Sequence, residues 1–141
     1  MQIGVDSKRA VENKRVFVVD ANDISATALQ FMLADEMETH VYETGAAALE
    51  RAAAFPPQLV LLAQNILESD GVGIIARLRA AIDGVKILLV CSDAAHPLIV
   101  EALSLGASST LLRPLKLETV RRKVDGQLGR LPQLNIPVVR R

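Results

Sequence analysis

Tryptophan is absent from the 141 residues, tyrosine occurs once and phenylalanine three times, so any buried core must be aliphatic. Apolar residues still make up 50% of the chain, chiefly Leu, Val, Ile and Ala, enough to fill the core of one domain of this length. Cys91 is the only cysteine, which excludes an internal disulfide and makes a cytoplasmic setting the expectation. Formal net charge is zero, so bulk charge directs the chain neither to nucleic acid nor to an anionic membrane. No apolar run approaches the ~20 residues of a membrane span. The first residues, with Asp6, Lys8, Arg9 and Glu12, lack the apolar stretch of a secretory signal.

What is present is a regular alternation. Gln58-Leu59-Val60-Leu61-Leu62-Ala63, bounded by Pro56-Pro57 and by a polar segment ending at Gly71, reads as a short strand buried on both faces, followed by a loop. Arg15 to Asp20, His40 to Glu43, Val85 to Cys91 and Ser109 to Leu112 read as four further strands. Helical spacing falls between them. One helix carries Ala28, Leu29, Met32 and Leu33 and is capped by Asn22 or Asp23; a second is Ala-rich and opens at Gly45. A third carries Ile74, Ile75 and Leu78, with Asp70 at its start; the fourth opens at Pro97 and the last spans about 117–128. Strands alternating with helices predict an α/β fold: a five-stranded parallel sheet with right-handed crossovers and helices on both faces. Residues 1–13 are expected to form an arm, 14–130 the domain, and 131–141, with Pro132 and Pro137, a tail or linker. No internal repeat or biased tract interrupts them.

Several landmarks stand in a characteristic order: Val18-Val19-Asp20, Leu59 to Leu62 followed by Asp70-Gly71, Leu88 to Ser92, Gly106-Ala107-Ser108, and Arg113-Pro114. With that spacing the chain resembles a CheY-like response-regulator receiver domain of two-component systems, over about residues 14–130. The resemblance implies a flavodoxin-like sheet ordered 2-1-3-4-5, with the site beyond the carboxyl ends of the strands. It also implies phosphoryl transfer from a kinase phosphohistidine to an aspartate at the end of the third strand. Mg²⁺ held by acidic residues assists that reaction.

Here the pattern departs from the family. The acceptor position falls on Ala63, whose methyl group cannot form an acyl phosphate. Of the acidic pair, Asp20 stands but its neighbour is Ala21, too little negative charge to hold Mg²⁺, so neither metal nor other cofactor is expected. The family's hydroxyl residue falls on Cys91, with Ser92 beside it if the register slips by one. Its lysine before proline falls on Arg113, and its aromatic switch residue on Thr110. The resemblance therefore implies a degenerate receiver, a pseudo-receiver without enzymatic activity.

Individual residues carry competing readings. Asp20 either binds a cation, or pairs with Arg113 across the pocket or helps cap the helix beside it, and Arg113 either pairs so or anchors an anion. Cys91 is a buried apolar group or a redox sensor, with the first favoured. His40 and His96 lack companions at ligand spacing, and Asp70 and Asp93 lack a metal cluster that would make either an acceptor. On the fourth helix Ile99 and Leu103 suffice to face the sheet. Leu98, Ala102 and Leu105 then extend an apolar stripe outward, while Ile24 and Phe31 edge the first helix. From Arg113 onward the basic residues Arg113, Lys116, Arg121, Arg122, Lys123, Arg130, Arg140 and Arg141 outweigh Glu118 and Asp125.

Three functions follow. The first is a protein-interaction module of a phosphorelay-type pathway. It would dimerise or dock a protein partner through the fourth helix, fifth strand and fifth helix, with Leu98, Ala102, Leu105, Arg121 and Arg122 as interface residues. No direct nucleic-acid or membrane contact is expected of it. The second is a small-molecule or anion sensor using the pocket vacated at Ala63 and Ala21, and the third an active receiver with a displaced acceptor.

Overall fold

A computed structural model describes residues 14–129; the expected arm and tail lie outside them. Five parallel strands form one sheet: β1 (Arg15–Val19), β2 (Glu38–Tyr42), β3 (Leu59–Ala63), β4 (Lys86–Cys91) and β5 (Ser109–Leu112). Their order is β2-β1-β3-β4-β5, the predicted flavodoxin-like arrangement. Six helices cover the two faces: α1 (Asp23–Leu33), α2 (Gly45–Ala54), α3 (Gln64–Asp70), α4 (Gly73–Ala81), α5 (Pro97–Ser104) and α6 (Leu117–Leu128).

The strands are apolar without interruption because both of their faces are covered. Along β1, Val16 and Val18 point to one layer and Phe17 and Val19 to the other, following the two-residue period of a strand. Leu59 and Leu61 join the first set and Val60 and Leu62 the second. One layer packs α1 through Ala26, Leu29 and Leu33 and α6 through Val120 and Val124. The opposite layer packs α2, α4 and α5 through Ala48, Ala52, Ile74, Ile75, Leu78, Ile99 and Ala102. Each such large side chain removed from water contributes roughly 1.5–3 kcal/mol, which is how an aliphatic core suffices without tryptophan.

Two expectations fail here for local reasons. The segment after β3, expected as a loop, is helical over Gln64–Asp70. It contains neither Gly nor Pro, Ile66 and Leu67 bury against the core, and the Gln64 Nε2 donates to Glu68 Oε2 at 3.0 Å one turn on. Asp70 accordingly closes α3 instead of opening the next helix; Gly71 follows at φ 84°, which breaks the helical path. Its carboxylate lies over the first residue of α2, where a Cβ on Gly45 would stand 2.5 Å from Asp70 Oδ2. The second strand begins earlier than expected, because Glu38 pairs in register with Arg15 and extends the ladder.

Candidate functional site

The pocket lies at the carboxyl ends of β1, β3 and β5. Sequence-predicted positions converge there, but not as equals. Asp20 directly follows β1 and is the only buried polar or charged residue among the described residues. Its Oδ1 accepts from the backbone N–H of Asn22 at 2.9 Å and from Asn65 Nδ2 at 2.7 Å. Its Oδ2 has no hydrogen-bond partner and lies 3.8 Å from Arg113 Nη2. The pairing reading of Asp20 and Arg113 therefore holds. Arg113, which follows β5 and precedes Pro114 across a cis peptide, also donates from Nη1 to Ser25 Oγ at 2.8 Å. That hydroxyl sits in the first turn of α1, and α1 is capped by Asn22, whose side chain accepts from Ser25 N at 3.0 Å.

Ala63 ends β3 fully buried, opposite Val90 of β4. Ala21 is exposed, and its backbone N–H donates to Asn65 Oδ1 at 3.1 Å. Asn65 is thus the residue that sequence reasoning missed: one side-chain amide joins Asp20 and Ala21 after β1 to the helix that follows β3. Its signal was weak, a polar side chain two residues beyond a buried strand. Asn22, Ile24, Ser25, Ala28, Asn65 and Arg113 border an open cleft of about 530 Å³.

Cys91 is buried at the end of β4, and burial pushes its thiol up from the ordinary 9.0, offset in part by the Asp93 backbone N–H and the Arg113 charge. That matches the apolar reading. Ser92 is exposed, and Thr110 on β5 is half-buried opposite Leu89. The Asp93 carboxylate accepts from the backbone N–H of Ala95 at 2.9 Å. His96 caps α5, its Nδ1 accepting from Leu98 N at 3.1 Å, while His40 packs edge-on to Phe17 and bonds Glu38.

The surface expected on α5 differs in its residues. Ala102 is fully buried and Leu98 packs against the core, so neither belongs to an exposed stripe; Leu105 does, at 42% exposure. Val100, unforeseen, is 52% exposed, and Leu112 of β5 and Leu117 of α6 are each 46% exposed. Each residue along a helix turns the side chain by ~100°, so Val100, two residues before the buried Ala102, lies on nearly the opposite side of α5. Arg121, expected at the interface, binds within the domain: Asp35 at 2.7 Å, Glu36 at 3.2 Å and the Met32 carbonyl at 3.1 Å, and so fastens α6 to the end of α1. Arg122 is exposed.

The residues do not fit a divalent-cation site. Among the described residues no group of three His, Cys, Asp or Glu side chains could hold a metal ion. A hard cation needs several oxygen ligands, and here the free carboxylate oxygen of Asp20 faces a guanidinium.

Residues 16–125 match the family model of the response regulator receiver domain. The chain belongs to that family. The transcriptional regulatory protein LnrK of Bacillus subtilis (strain 168) is 29% identical over 113 residues, 78% of this chain and 51% of LnrK. This chain thus spans about half the length of that relative. A two-component response regulator from Clostridium difficile superposes with a TM-score of 0.74 at 19% identity, covering 84% of this chain and 98% of that one. The receiver domain of the sensor histidine kinase PA1611 from Pseudomonas aeruginosa, solved with magnesium coordinated in its active-site cleft, gives 0.73 at 20% identity, covering 83% and 98%. Receiver domains are signalling modules of two-component systems that work through partner proteins or effector domains. Among the described residues of this receiver no helix is long and apolar enough to cross a membrane.

Proposed function

We propose that this receiver signals without phosphoryl transfer, as a protein-interaction module whose site is degenerate. The observation that carries the reading is Ala63, a buried methyl group at the end of β3, where the family's chemistry needs a carboxylate nucleophile. The isolation of Asp20 against Arg113 supports it, since no acidic cluster is left to gather Mg²⁺ around a phosphodonor. With the chemistry gone, output rests on surfaces. Val100, Leu105, Leu112 and Leu117, exposed on α5, β5 and α6, suit a second copy or a protein partner there.

The experiment is to incubate the protein with acetyl phosphate and Mg²⁺ and weigh it intact. No added phosphoryl mass is expected; a stoichiometric gain would overturn the reading and revive Asp70 or Asp93 as acceptor. Solution mass of the wild type against Leu112→Arg then tests the surface, the variant being expected to lose self-association or partner capture.

The cleft beside Arg113 favours a second reading, a small-molecule sensor. An anion is the weaker ligand for it, because the guanidinium is already engaged by Asp20 and Ser25. Thermal-shift screening against phosphates and metabolites separates the two, and stabilisation by none of them leaves the interaction module.

A further inference from the structure

Three connections meet at one carboxylate. Asp20 receives the backbone of Asn22 and the amide of Asn65 on Oδ1, and its Oδ2 faces Arg113, which is itself held by Ser25. Ser25 and Asn22 belong to the start of α1, Asn65 to the helix after β3, and Arg113 to the exit of β5. The ends of β1, β3 and β5 are therefore cross-linked through a single buried charge. Burying a lone carboxylate is costly unless a cation neutralises it, and among the described residues the cation paired with Asp20 is the Arg113 guanidinium. Arg113 differs from a bound ion in two respects. It cannot dissociate, and at any accessible pH it stays charged.

We propose that the Arg113 guanidinium is the permanent counter-ion of Asp20 and occupies the role of a divalent cation, so that the Ser25–Arg113–Asp20–Asn65 chain closes the pocket to metal and holds the strand ends in one arrangement. This rests on the reading that the receiver is degenerate, and it adds a cause: losing the acceptor is not the only barrier to metal binding. A metal entering beside Asp20 must displace a covalently tethered positive charge or sit next to it, and like charges repel. The closure is therefore independent of Ala21 and Ala63. Restoring a second carboxylate is not enough while Arg113 stands.

Mn²⁺ is the probe, read by paramagnetic broadening of the backbone amides around Asp20 and by thermal shift. Wild type and Ala21→Asp are expected to show neither broadening nor a melting shift at millimolar Mn²⁺. Ala21→Asp combined with Arg113→Ala is expected to melt ~10 °C lower without metal and to recover several degrees with it. Broadening in Ala21→Asp as strong as in the double variant overturns the proposal, while leaving the degenerate reading intact. Phosphoryl uptake by the wild type sinks that reading instead, so the two failures are distinguishable. Should Arg113→Ala not fold, Asp20→Asn with Arg113→Ala removes both charges and supplies an independent measurement. It should melt close to Asp20→Asn alone, because the arginine has lost the charge it served. A further loss of ~10 °C on removing Arg113 from Asp20→Asn would show that the arginine acts by packing and would overturn the counter-ion role.

Discussion

The two ends of β1 each carry an arginine beside a carboxylate, set in opposite surroundings. At its start, Arg15 Nε donates to Glu38 at 2.8 Å, and His40 bonds the same carboxylate at 2.8 Å; the three side chains are 25%, 45% and 41% exposed. At its exit, Asp20 has a side chain with no exposure and sits 3.8 Å from Arg113. The shorter contacts are the weaker ones energetically. Water already solvates Glu38 and Arg15 when they part, whereas Asp20 has no solvent to fall back on. What decides the worth of an ion pair here is the fate of the partner left behind.

That contrast can be broken by substitution. Arg113→Ala should cost about 3 kcal/mol, the low end for breaking a buried pair, because Oδ1 keeps its two hydrogen bonds. Urea unfolding measures it, and a loss as small as that of a surface pair would dissolve the distinction. Arg121→Ala should fall between, at about 1 kcal/mol. Its Nη2 donates to both Asp35 oxygens, at 2.7 and 3.0 Å, but Asp35 is 65% exposed. Glu38→Gln should cost below about 1 kcal/mol and less still at high salt, since screening reaches an exposed pair.

The smallest effect is its pH dependence. The hydrogen bond from Arg15, then that from His40, holds the Glu38 carboxyl below its ordinary 4.5. A depressed carboxyl contributes stability that is present above 4.5 and is lost as pH falls through the lower folded value. Wild type and Glu38→Gln should therefore differ by a few tenths of a kcal/mol at neutral pH and converge in acid. A difference that grew as pH fell would contradict the assignment.

A separate region shows why some of the molecule was readable and some not. The strand Leu59 to Ala63 is legible because continuous burial leaves a continuous apolar run, and its place at the centre of the sheet follows. The pairing of Asp20 with Arg113 was also within reach, since the family pattern puts both at strand ends around one pocket. Asn65 was not. Its role exists only because Gln64 to Asp70 coils into α3 and aims the amide back at Asp20 and Ala21, where a loop could have aimed it anywhere. The outer face of α5 failed similarly. Apolar spacing identified the helix, but Leu98, Ala102, Ile99 and Val100 are all apolar and leave its rotation unresolved until it is docked on the sheet.

By itself the order of apolar runs, turns and helix caps determined five βα units, their parallel sheet and the methyl group at the end of β3, because those depend on local periodicity and residue identity. Only the tertiary structure decided that Asp20 is buried, that Asn65 joins Arg113 around it, and that Val100 faces outward in place of Ala102. Those outcomes depend on distances between side chains 45 to 93 residues apart, which no local pattern encodes and only packing around a common core can set.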